Sequence, residues 1–270
     1  MEALNFCRQI RKQVDQWERQ GKFTEVVRAA PSFNLAPLLN QAVKFTLPHN
    51  GVVLDDPALR GLDFDQDLRL PFPVIALECM ADGDSKGMIR VVVLAMESGD
   101  FIKVVPWMGV YVDGQIGWSA YPQMALHKIG SLRRDVDGTV RYSTYAEPDQ
   151  VLGTAFDGVS SWRSSARAAV TTLIDFLNVM SCSNVTSEKL PARKSSKTLG
   201  ALPFDEYHVL TIAAPQGTHK GGAQGSHRSP REHLRRGHIR RLQSGSKIWV
   251  NAAVINAGVG GKIRKQYALA

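Results

Sequence analysis

The sequence predicts an α+β protein: an antiparallel sheet, built as a meander, packed by two or three helices and followed by a basic three-stranded β-meander. Three observations carry this expectation. Apolar residues recur at helical spacing at the start of the chain and again near its middle. Between these stretches the pattern changes to strand-like runs separated by short turns. The last third is strongly basic and again reads as strands.

Residues 1–45 read as helical. Phe6, Ile10, Val14 and Trp17 fall on one face, with Arg8, Arg11, Lys12, Asp15 and Glu18 between them. A second helix is expected over 35–45, ending before Pro48. From Pro71 the period changes, and 72–80 reads as a buried strand bounded by Ala81, Asp82, Gly83 and Asp84. Strands at 88–96 and 101–112 follow, separated by Ser98, Gly99 and Asp100. Another at 115–121 comes after Asp113-Gly114, a strong hairpin dipeptide. Residues 131–158 read as a long excursion with at most a short hairpin.

Ser160 or Ser161 caps the best helix of the chain, expected over 160–182. Ala166, Ala169, Val170, Leu173, Ile174, Leu177 and Met180 form its inner face, and Arg163, Arg167 and Asp175 its outer one. After a basic loop at 189–197, a strand over 207–213 resumes the sheet. Three final strands are expected at 234–242, 247–255 and 261–269, with turns at 243–245 and 257–260. The chain thus divides into an α+β domain, 1–188, and an Arg/His-rich β subdomain, 189–270, whose sheet either continues the first or stands apart.

A length of 270 residues with 44% hydrophobic content suffices for a sizeable core and argues against disorder. Cys7, Cys79 and Cys182 are too few and too scattered for a disulfide framework or a zinc knuckle, which points to a reducing cytoplasm. The first residues lack the basic-then-apolar layout of a signal peptide. No uncharged apolar stretch approaches the length of about 18 residues that spans a bilayer, so no membrane partner is expected.

Charge is unevenly distributed. Residues 189–270 hold 15 Lys and Arg against 3 acids, whereas 1–188 hold 18 against 22. Such asymmetry points to a polyanionic partner for the basic part. The density peaks over 226–242. On a pleated strand Leu234, Arg236, His238, Arg240 and Leu242 share one face, and His233, Arg235, Ile239 and Arg241 the other. Guanidinium forks bind phosphate bidentately. The expected nucleic-acid contacts are therefore Arg228, Arg231, Arg235, Arg236, Arg240, Arg241 and Lys247, with Lys194 and Lys197 from the basic loop. Trp249 either stacks a base or belongs to the core.

Histidines among arginines also fit metal-independent RNA cleavage, in which one group takes the 2′-hydroxyl proton and another protonates the leaving oxygen. In that reading His238 is base or acid, His233 or His227 is its partner, and Glu232 is the alternative base. The histidines at 219, 227, 233 and 238 show no metal-ligand spacing, with no i,i+4 pair and no cysteine nearby. No metal and no cofactor is expected.

Three strings, residues 177–185 (LNVMSCSNV), 203–212 (PFDEYHVLTI) and 229–250 (SPREHLRRGHIRRLQSGSKIWV), together with 261–267, resemble a set of uncharacterised proteins encoded by phages and prophages. The resemblance covers about ninety residues. It implies a protein acting on nucleic acid or on a host defence machine, and with the Arg/His box the first expectation is a cytoplasmic protein that binds nucleic acid, RNA ahead of DNA. Its alternatives are an interaction protein that blocks a host defence complex and a structural protein of the virion. The resemblance brings no catalytic residues with it.

Overall fold

The computed structural model describes residues 4–20, 35–53, 68–83, 87–112, 115–120, 123–129, 132–134, 140–142, 144–146, 159–190, 206–212, 233–235, 238–250 and 253–255. The architecture is mixed α and β, dominated by strands. In chain order it runs α1 (Phe6–Arg19), α2 (Leu35–Gln41), β1 (Val43–Thr46), a 3-10 turn (His49–Gly51), β2 (Val74–Asp82), β3 (Met88–Ser98), β4 (Phe101–Val112), β5 (Gln115–Ala120) and β6 (Met124–His127). Short strands β7 (Leu132–Arg134), β8 (Val140–Tyr142) and β9 (Thr144–Ala146) precede the long helix α3 (Val159–Met180). Then come β10 (Val185–Lys189), β11 (Tyr207–Ile212), β12 (His233–Arg235), β13 (His238–Arg241), β14 (Lys247–Val250) and β15 (Ala253–Ile255). None of the described helices is long and apolar enough to cross a membrane.

The central meander follows from local sequence. Ser98 pairs with Phe101 across a two-residue turn, and Gly99 there takes φ +57°, which glycine adopts without a Cβ penalty. Alternation then sends successive side chains to opposite faces of β2 and β3. Ile75, Leu77, Cys79, Val93 and Ala95 meet α3 residues Val170, Leu173, Ile174 and Phe176. Ala76, Val92, Leu94, Val105 and Trp107 meet Phe6, Ile10 and Val14 of α1 and Leu39 of α2. The sheet is therefore covered by helices on both faces, and each large side chain buried there contributes about 1.5–3 kcal/mol.

Two expectations about this sheet need correction. The segment 35–45 is not one helix: α2 stops at Gln41, and Val43–Thr46 is a strand. That strand lies between β2 and β11 and runs parallel to both. The nine-stranded sheet, in order β10-β11-β1-β2-β3-β4-β6-β9 with β5 also on β4, is consequently mixed rather than antiparallel. A four-residue strand that begins and ends on the β-branched Val43 and Thr46 finds its partners only far along the chain. Asp175, expected on the outer face of α3, is buried, because residues 173–179 of the helix are enclosed on every side.

One carboxylate ties the layers together. Glu78 is fully buried on the α1 side of β2 and accepts hydrogen bonds from the backbone N–H of Phe6 (3.0 Å) and Cys7 (2.8 Å) and from the Tyr207 hydroxyl (2.8 Å). It caps α1 from the sheet face on which the helix lies, where the preceding Asn5 makes no side-chain cap. Burial pushes its carboxyl above the ordinary value, and the bonds from Cys7, Phe6 and Tyr207 oppose that rise.

Candidate nucleic-acid interface

The basic C-terminal strands form one arm. β12 pairs with β15 and β13 with β14, both antiparallel. Both ladders keep a single register: His233 faces Ile255 and His238 faces Val250, so the pairing moves inward equally on the two strands. The arm closes at 242–246, where Leu242 N–H donates to the Ser246 carbonyl (2.8 Å) and Gly245 adopts φ +84°. The expected turn at 243–245 is here. Of the expected three-stranded meander the described residues include the first two sides, each in two short pieces, and the third, 261–269, lies outside them.

The arm is seated on the end of α3. Ile239 and Trp249 face each other across the ladder and pack on Val179, Cys182 and Val185. Asn184 acts as a one-residue strand edge: its Nδ2 donates to the Trp249 carbonyl (2.8 Å), and its Oδ1 accepts the Trp249 N–H (2.7 Å). Ser183 donates to the Lys247 carbonyl from its N–H (2.8 Å) and its hydroxyl (3.2 Å). Lys247, only 7% exposed, turns its ammonium inward to Asn178 Oδ1 at 3.3 Å. Burial raises the Cys182 thiol above its ordinary value, and the Lys247 charge opposes the rise.

The residues expected to bind nucleic acid therefore take different places. Arg240 and Arg241 are exposed near the closed end of the arm. Arg240 pairs with Ile248, on the face of the pleat opposite Ile239 and Trp249. Lys247 is an anchor, with its charge directed into the protein. Trp249 is half-buried in the seat. His233 and Arg235 lie in β12 and His238 in β13. His227, Arg228, Arg231, Glu232, Arg236, Lys194 and Lys197 fall outside the described residues.

Sequence reasoning missed the seat itself, Asn178, Ser183 and Asn184. The signal was a cluster of Asn and Ser at the end of an apolar helix, which reads locally as nothing more than a helix stop. Tertiary structure brings the seat, β11 and the arm together: Val185 pairs with Ile212, and Leu210 packs on the cluster that holds Ile239 and Trp249. No known protein family matches the chain, and no curated protein or solved structure matches it either.

Proposed function

We propose that the protein binds nucleic acid, RNA ahead of DNA, through the arm formed by residues 233–255. The observation that carries this reading is a firmly seated hairpin with two exposed arginines, Arg240 and Arg241, on the strand that pairs with the anchored residues Lys247 to Trp249. An arm of this kind positions cations without the entropy cost of ordering a loose tail. It belongs to the part of the chain where 15 basic residues face 3 acids, so further phosphate contacts are at hand. A slender two-stranded arm reaches the phosphates of single-stranded RNA, whose unstacked bases remain open to side chains.

The test is a salt titration of binding to labelled single-stranded RNA and to duplex DNA. Log affinity should fall steeply with log salt. Arg240→Ala and Arg241→Ala should each weaken binding and reduce the slope by about 1 if the arginine meets a phosphate. A flat salt dependence, or no retention of either nucleic acid at low salt, refutes the reading and leaves an acidic protein of a host defence complex as the ligand class to examine.

A further inference from the structure

The parallel neighbours β11, β1 and β2 end at one edge of the sheet. Ligands of open α/β sheets gather outside the carboxyl ends of parallel strands. There the turn His49–Gly51 follows β1, and Asp82 ends β2. Asp82 Oδ1 lies 3.0 Å from His49 Nε2, and Oδ2 accepts from Asn50 Nδ2 at 3.0 Å. The Asp82 N–H donates back to Asn50 Oδ1 at 2.8 Å. Asn50 achieves this with left-handed backbone, φ +61°, a conformation uncommon outside glycine that recurs at functional sites.

The arrangement sets the chemistry of the imidazole. Hydrogen bonds from Asn50 and then His49 hold the Asp82 carboxyl below its ordinary value, so it remains a pure acceptor. An acceptor at Nε2 places the ring proton there and leaves the lone pair on Nδ1. Among the described residues no partner engages Nδ1, and the side chain is 48% exposed. An exposed ion pair on its own contributes little. Here Asn50 grips Asp82 at both its Oδ2 and its N–H, which fixes the other carboxylate oxygen on His49 as the orienting group of a His–Asp dyad is fixed. The same edge bears the arm: Gly51 approaches Thr172 of α3, and Val53 packs on the cluster of Val179, Cys182, Val185 and Ile239.

We propose that His49, positioned by Asp82 and Asn50, is a general base that acts on RNA held by the arm; the proposal rests on the nucleic-acid reading above. His49 Nδ1 takes the proton of a ribose 2′-hydroxyl, O2′ bonds to phosphorus, and the P–O5′ bond breaks. The departing O5′ takes a proton from water, and the imidazolium returns its own proton to the hydroxide left behind. The products are a 2′,3′-cyclic phosphate and a 5′-hydroxyl. No metal or redox partner enters the balance.

The experiment measures binding and cleavage of one labelled single-stranded RNA by the full chain, with an all-deoxy strand of the same sequence as control. His49→Gln should lose about 10²–10⁴-fold in cleavage rate with binding within a few-fold. Asp82→Asn should lower kcat and leave KM near its wild-type value, because it acts only through His49. Thermal midpoints within a few degrees of wild type verify that both variants fold. Binding without cleavage by the wild type overturns this proposal alone, as does cleavage that survives His49→Gln or attacks the deoxy strand. Absence of binding at low salt removes both this proposal and the nucleic-acid reading.

Discussion

Asn184→Ala isolates the seat of the arm. The substitution removes both hydrogen bonds to the Trp249 backbone, at 2.8 and 2.7 Å, and leaves the contacts of Ser183 and Lys247 in place. Each bond contributes a net of about 0.5–1.5 kcal/mol, so the docked arm loses about 1–3 kcal/mol. At about 1.4 kcal/mol per decade, local opening of the arm becomes about 5- to 100-fold more frequent. Native-state hydrogen exchange reads this directly: amides in 239–250 should exchange faster by that factor, while those of β2, β3 and β4 stay at the wild-type rate. RNA affinity should fall by no more than the fraction of arms that leave the docked state. Unchanged exchange in the arm would refute the assignment of Asn184 as its anchor. Equal acceleration throughout the sheet would show that the arm and sheet open as one unit.

Further outcomes follow from backbone conformation, burial and charge. Gly51→Ala should cost more than Gly99→Ala in thermal unfolding. Both glycines hold positive φ, but a Cβ at 51 would lie 3.1 Å from Thr172 Cγ2 and Oγ1, whereas nothing lies within 4 Å of one at 99. With about 1 kcal/mol of crowding added at position 51, the difference should be about 2–4 °C. The buried Glu78 should make stability decline as pH rises: its folded-state pKa is raised above its unfolded value, so its contribution is fully present below the unfolded pKa and is lost as pH climbs through the folded one. Denaturant midpoints of Glu78→Gln should lack this decline above about pH 4, and parallel curves for the two proteins would contradict it. Burial, and then the Glu78 charge, push the Cys79 thiol up to about 12. Iodoacetamide at about pH 8 should therefore label Cys79 only after denaturation; labelling of the native protein would show that the site opens.

The meander was legible because its determinants are local. Alternating apolar runs and the Ser98-Gly99-Asp100 turn set the β3–β4 register within a few residues of chain. The helical periods of α1 and α3 were legible for the same reason, as was the turn at 243–245. The candidate interface was legible in composition, since charge density needs no partner to be counted. Its mounting was not, because Lys247 looks like any other cation until Asn178, 69 positions away, receives it.

By itself, the sequence determined which segments alternate, which curl into helices and where positive charge collects, all properties averaged over neighbouring residues. Tertiary structure alone decided that Val43–Thr46 is a strand, since its partners lie at 75–78 and 207–208. It also decided that Glu78 caps a helix 71 positions earlier and that Asp82 orients His49 across 33 positions. Such contacts depend on closing long stretches of chain, and their energy is realised only when both partners share one buried or clamped environment. Local pattern reports the environment a residue requires; the fold determines which distant residue supplies it.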